Sequence, residues 1–315
     1  MTVRPRTILC PVDFSGGSCQ ALQHAAGLAA LFRAHLVIHT SIDPLLAEAA
    51  AAGVDQDYVR DTRAELERFA GSSVPGKPEW APYPRLVVTI GEAADQILEV
   101  AAFYQADLIV IGAQGLGEIE KPVFGSTTDE VMRRTATPVL VVPRHGKALL
   151  GLGPDGPRVS PGCVLAAVDL REASCAVAAA GAELAGFFDA PLVLAHAVAP
   201  VEAPARWTQS SQNATRVHRA IAEVGLETLA GELMAPVEPV VVTGHPAEAI
   251  EAAAAAHEAG LIVMGIGSPH GGPQRLGSTA YRVLSFATVP VLALPPDSAD
   301  GVQRHGRSLR KEAIA

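Results

Sequence analysis

VTIGEAADQILEVAAFYQADLIVIG (Val88 to Gly112) recurs in outline as VVTGHPAEAIEAAAAAHEAGLIVMG (Val241 to Gly265). In each copy a β-branched run stops at a glycine, Gly91 or Gly244. A stretch of helical period follows, and an unbroken Leu-Ile-Val run closes the unit on a second glycine. A strand that is apolar on successive residues is buried on both faces, so strand, helix, strand in this order is a βαβ unit of a covered parallel sheet.

Working outward, the duplication extends over most of the chain. TILCPVDFS (Thr7 to Ser15) is echoed by CVLAAVDLR (Cys163 to Arg171), which sets Asp13 opposite Asp169. Ser18-Cys19 and Ser174-Cys175 open Ala/Leu-rich stretches at the same offset, and HLVIHTSIDP then matches PLVLAHAVAP. Gly125-Ser126-Thr127 with TPVLVVP (Thr137 to Pro143) returns as Gly277-Ser278-Thr279 with VPVLALP (Val289 to Pro295). Two homologous α/β domains are therefore expected, over 1–146 and 162–297, with a Gly- and Pro-rich linker at 147–161 and a flexible polar tail at 298–315. In the first copy strands are expected near 7–12, 35–40, 85–90, 107–111 and 138–142, and helices near 18–33, 45–70, 92–104 and 126–136. The second copy mirrors these.

Composition narrows the class. The 315 residues are 49% hydrophobic and 18% charged, which a disordered chain does not afford. A formal charge of -9 lacks the basic footprint of a nucleic-acid binder. No uncharged run approaches the ~20 residues of a membrane span. The apolar run after Arg6 meets Asp13 too soon to serve as a secretory leader, so a soluble cytoplasmic protein is expected. Cys10, Cys19, Cys163 and Cys175 show no metal spacing and read as reduced, mostly buried thiols. His35 and His39 share one side of a strand without acidic partners, and read as packed residues rather than metal ligands.

Three phosphate-loop patterns occur. GLGPDG (Gly151 to Gly156) lies in the Pro-broken linker, and GSSVPGKP (Gly71 to Pro78) follows a helix and has Pro78 where a metal-binding hydroxyl belongs. Both read as loops. GAQGLGEIEKPVFGST (Gly112 to Thr127) instead leaves a buried strand and runs into a helix, where small residues, backbone amides and a helix N-terminus suit an anion. The same G-S-T chemistry suits an ordinary helix cap, and the residues alone leave both readings open.

The spacing Gly112-x2-Gly115-x9-Gly125-Ser126 resembles the nucleotide-binding signature of the universal stress protein family. Val12-Asp13 at the end of the first strand, Asp43-Pro44 after the second and the closing Pro138 to Pro143 resemble it too. The resemblance implies two flavodoxin-like (Rossmann-like) domains in tandem, each a five-stranded parallel sheet in order 3-2-1-4-5 with helices on both faces. It also implies ATP, with Mg²⁺ carried mainly by phosphates and waters. Pro11, Val12 and Ser41 would then line the base, Asp13 would reach the ribose or adenine edge, and Gly112, Gly115, Gly117, Gly125, Ser126 and Thr127 would hold the phosphates. In the second copy the matching positions are Ala167, Val168, Asp169, Ala197, Gly265, Gly267, Gly277, Ser278 and Thr279, but Ser268 replaces the second signature glycine and the loop is one residue shorter. Lys121, His270 and Arg275 are loop cations that could meet a phosphate or simply solvent.

Asp13 to Ser18 (DFSGGS) also partly resembles the pyrophosphate loop of ATP pyrophosphatases, though the second copy does not repeat it. No evident general base stands at the phosphate end, so binding rather than turnover is expected. The expected function is an ATP-dependent stress regulator with an unidentified protein partner. An ATP-using enzyme and a scaffold without nucleotide are the alternatives. Related domains pair through their last strands, which two domains can do within one chain or between two chains of a homodimer.

Overall fold

The computed structural model of the protein describes residues 4–51, 58–74, 83–114, 124–153, 156–159, 161–171, 173–267 and 276–296. The first repeat runs Thr7–Pro11 (β1), Gly16–Phe32 (α1), His35–Ile42 (β2), Pro44–Ala51 (α2), Tyr58–Ser73 (α3), Arg85–Ile90 (β3), Ala93–Phe103 (α4), Leu108–Gly112 (β4), Ser126–Arg134 (α5) and Val139–Val142 (β5). Leu150–Gly153 (β6) and Gly156–Val159 (β7) connect it to the second. That repeat runs Cys163–Ala167 (β8), Ser174–Phe188 (α6), Leu192–Val198 (β9), Thr208–Gly231 (α7), Val237–Thr243 (β10), Pro246–Ala256 (α8), Ala259–Gly265 (β11), Ser278–Phe286 (α9) and Val291–Leu294 (β12).

Among the described residues, ten strands form one sheet in the order β10-β9-β8-β11-β12-β5-β4-β1-β2-β3. Pairing within each repeat is parallel, and the two repeats join where β12 runs antiparallel to β5, with Leu292 opposite Leu140. The last strands thus meet inside one chain, one of the two arrangements expected from related domains.

Side chains of each strand alternate between two cores. Ile8 and Cys10 face a cluster with Leu22 of α1, Leu66 of α3, Val177 of α6 and Leu226 of α7. Leu9 faces the other, with Ile97 of α4, Val131 of α5, Ile250 of α8 and Val283 of α9. Each cluster spans both repeats, so the joint is part of the core. Phe32 stacks on Phe187 across it at 4.4 Å between ring centroids.

Three expectations need correction. Over the single helix expected at 45–70 the described residues give two, α2 and α3, and 52–57 lie outside the described residues. Within the expected linker, β6 and β7 pair as an antiparallel hairpin, because Leu149 and Leu150 are apolar enough to bury. The Leu149 N–H donates to Nε2 of buried His24 (3.2 Å), while Nδ1 of His24 lies 2.8 Å from the Gln20 carbonyl. Of the cysteines only Cys10 and Cys163 are buried; Cys19 is half-buried and Cys175 exposed, since both sit on helices with a solvent side. Among the described residues, no helix is long and apolar enough to cross a membrane.

Candidate functional site

β1 pairs with β2 on one side and β4 on the other, so the chain direction across the sheet reverses between β1 and β4. The loops leaving the carboxyl ends of such neighbours diverge and leave a crevice, the usual ligand position in open α/β sheets. A cleft of about 570 Å³ opens there, within the range of about 300–1,000 Å³ typical of small-molecule sites.

Pro11, Val12, Asp13, Ser41, Gly112, Gly125, Ser126 and Thr127, all candidates from the sequence, are brought together along this cleft. Gly115 and Gly117, with Lys121, lie outside the described residues.

Two helix starts face the cleft, and they differ. α1 is closed: the Ser15 hydroxyl caps it by accepting from the Ser18 N–H (3.2 Å). α5 is open. Its cap is Gly125, which has no side chain to accept a bond, and its first intrahelical bond runs from the Asp129 N–H to the Gly125 carbonyl. The amides of Ser126, Thr127 and Thr128 precede that bond and are the orphan donors of the helix, where the macrodipole adds partial positive charge.

The backbone approaches itself closely beside these donors. A Cβ on Gly17 would stand 2.6 Å from the Gln114 carbonyl oxygen, and one on Gly112 would stand 3.1 Å from the backbone of Gly17. Buried Thr128 donates its hydroxyl to the Gly112 carbonyl (2.9 Å), tying α5 to the end of β4, and the Gly125 N–H donates to Ala113 (2.9 Å). Asp13 begins a tight turn: its Oδ1 accepts from the Ser15 N–H (3.1 Å) while Phe14 takes the left-handed conformation (φ 63°). Oδ2 of Asp13 has no partner among the described residues.

His39 forms part of the cleft floor and is 1% exposed. Its Nε2 lies 2.9 Å from the Thr89 hydroxyl, its Nδ1 has no partner among the described residues, and burial pushes its pKa down to about 4. The packed reading of His39 holds. His35 is exposed at the start of β2.

In the second repeat, Ala167 ends β8, Gly265 ends β11 and Gly277 caps α9, with Ser278 and Thr279 in its first turn. Gly267 and Gly277 come together, a Cβ on Gly277 standing 3.3 Å from the Gly267 carbonyl oxygen. Asp169 makes the same turn over Leu170 (φ 58°), but its Oδ1 accepts from both the Arg171 N–H and the Ser174 hydroxyl (3.0 Å each). Val168 continues β8 toward this turn, its N–H donating to Ala195, and Ala197 lies near the end of β9. Ser268, His270 and Arg275 lie outside the described residues.

Sequence reasoning missed Phe124, Gln114, Thr128 and Tyr281 on the cleft wall. Tyr281 belongs to α9 of the second repeat, and its ring meets Phe124 edge-on at 5.9 Å. Only knowledge of which strands join could have placed it there.

Comparison with known proteins agrees with the duplicated architecture. The model of the universal stress protein family matches residues 5–143 and again 163–295. Universal stress protein MJ0531 of Methanocaldococcus jannaschii is 28% identical over 147 residues, 45% of this chain and 84% of its own length. Universal stress protein Sll1654 of Synechocystis is 30% identical over 142 residues, covering 44% and 85%. The crystal structure of a universal stress protein from Archaeoglobus fulgidus superposes over 92% of this chain and 98% of its own with a TM-score of 0.58, at 17% identity. The chain belongs to the universal stress protein family and carries the family domain twice.

Proposed function

We propose that the chain is a cytoplasmic nucleotide-binding regulator that takes ATP in the cleft of its first repeat. The observation carrying this reading is the meeting, at one strand-order reversal, of an uncapped helix start and a carboxylate with a free oxygen. The amides at the start of α5, with the hydroxyls of Ser126 and Thr127, receive the phosphates. Asp13 accepts from the ribose, and the base lies against Pro11, Val12 and Ser41. Among the described residues no group of three or more His, Cys, Asp or Glu could hold a metal, so Mg²⁺ would enter with the phosphates and waters.

Binding is proposed without turnover, because the described cleft lining offers no histidine free to act as a general base: His39 is buried against Thr89 and its pKa is pushed down to about 4. Occupancy would order the loops at the cleft and so alter a surface read by a partner. Calorimetry on the full chain tests this. ATP should bind the parent, Asp13→Ala should weaken it by about tenfold or more, and Asp169→Ala should leave it unchanged, since charge-assisted hydrogen bonds contribute about 1.5–3 kcal/mol. Equal affinity for parent and Asp13→Ala removes the site, and phosphate release over repeated turnovers removes the regulator in favour of an enzyme.

A further inference from the structure

The cleft of the first repeat is not built by that repeat alone. Tyr281, in the first turn of α9, lines it together with Ser126 and Asp129 of α5. Phe124, which immediately precedes the α5 cap, is 4% exposed and holds the Tyr281 ring edge-on. Arg133, held by Asp129 (Nε to Oδ2, 2.8 Å), lies within electrostatic reach of the phenol. Tyr281 is therefore held by Phe124 on one side and faces Arg133 of α5, yet keeps 38% of its surface exposed while lining the cleft.

The residue at the matching position of the first repeat is Asp129, so the duplication does not account for a tyrosine here. Its place follows from the β5–β12 joint, which brings α9 beside α5 on one face of the sheet.

We propose that Tyr281 is a ligand-binding residue supplied by the second repeat, donating its hydroxyl to the phosphate end of a nucleotide held in the first. A phenol is suited to this: it gives one hydrogen bond to an anion while its ring stays packed on Phe124. Ligand binding in the first repeat then depends on the joint, and the second repeat is coupled to the nucleotide even if its own loop takes none. The proposal rests on the ATP reading above and extends it.

Calorimetric titration of MgATP and of adenosine into the parent, Tyr281→Phe and Tyr281→Ala separates the two, with thermal melts recording that each variant folds. Tyr281→Phe keeps the ring and loses the donor; ATP affinity should fall about tenfold, the loss of one hydrogen bond to a charged group, while adenosine affinity stays the same. Tyr281→Ala should lose at least as much for ATP. If Tyr281→Phe binds ATP like the parent, the proposal is overturned and the ATP reading stands. If adenosine and ATP weaken alike, Tyr281 shapes the cleft without touching phosphate, which also overturns it. If the parent binds neither compound, the ATP reading fails and the proposal fails with it.

Discussion

The two βα junctions that follow β4 and β11 share a backbone and differ in chemistry. Both start their helix on an extended glycine, Gly125 or Gly277, and both first strands turn through a left-handed residue after the aspartate. Around that frame the side chains diverge. Thr128, which ties α5 to Gly112, is matched by Ala280; Gly17, which the Gln114 carbonyl overlies, is matched by Ala173; and Asp169 spends on Arg171 and Ser174 the acceptor capacity that Asp13 keeps. Packing keeps the frame in both copies, because every strand and helix still has to bury its apolar face. Nothing in packing keeps the donors and acceptors, and those are intact in the first copy.

The largest test of this asymmetry is acid. Among the described residues both buried histidines, His24 and His39, belong to the first repeat, and the second has Ala180 and Ala195 at the matching positions. Burial pushes His24 down from 6.5, and pushes His39 down to about 4. Between 6.5 and about 4 the unfolded chain therefore binds a proton at His39 that the folded chain refuses. The stability these groups contribute is complete above pH 6.5 and falls below it, by about 1.4 kcal/mol per pH unit for His39 down to about pH 4, with His24 acting in the same direction. Protonated His24 would also lose the bond it accepts from Leu149, loosening the hairpin on α1. Urea unfolding at pH 7.5, 5.5 and 4.5 should show the decline, and amide hydrogen exchange should show β1 to β3 opening before β8 to β10. A flat profile, or equal opening of both repeats, would break the comparison.

The joint explains what the sequence could and could not disclose. The strands were legible because Leu108 to Gly112 and Ala259 to Gly265 are apolar on successive residues, too short for a buried helix and closed by a glycine, the pattern of a doubly covered strand. Asp13, Gly112 and Gly125 were legible because each is a local device, a turn, a close approach or a cap, written within a few residues. Tyr281 was not. Its role depends on β12 lying against β5, and the alternation of apolar residues is the same whether those edges meet each other or a second chain. The hairpin of β6 and β7 was hidden for a related reason: its glycines and prolines read as a linker, while the burial of Leu149 against α1 is a tertiary fact.

A second, smaller effect comes from Gly17. A methyl group there would stand 2.6 Å from the Gln114 carbonyl oxygen, too close for any real Cβ, and backbone must move to admit it. Gly17→Ala should lower stability by about 1–3 kcal/mol, the usual cost of overpacking, and weaken ATP binding by displacing Gln114 at the cleft. The reverse change in the second copy, Ala173→Gly, should cost little, because Ala173 is the cap of α6 and glycine is the better capping residue. Denaturant melts of both variants check the contrast. Equal losses would mean that the two helix starts are packed alike.

The smallest effect isolates one hydrogen bond. Thr128 is 4% exposed and donates to the Gly112 carbonyl at 2.9 Å; Thr128→Ala removes that bond and makes the first copy resemble the second, which has Ala280. The lost bond costs about 1 kcal/mol, and the higher helix propensity of alanine returns several tenths of that. Net stability should therefore change by less than about 1 kcal/mol. ATP affinity should change more, because the bond sets the distance between the end of β4 and the amides of α5, and misplaced donors weaken every phosphate contact together. Thr128→Ser, which keeps the hydroxyl, should restore affinity; if it does not, the methyl group's packing and not the tether positions the helix, and the distinction between the two junctions reduces to shape.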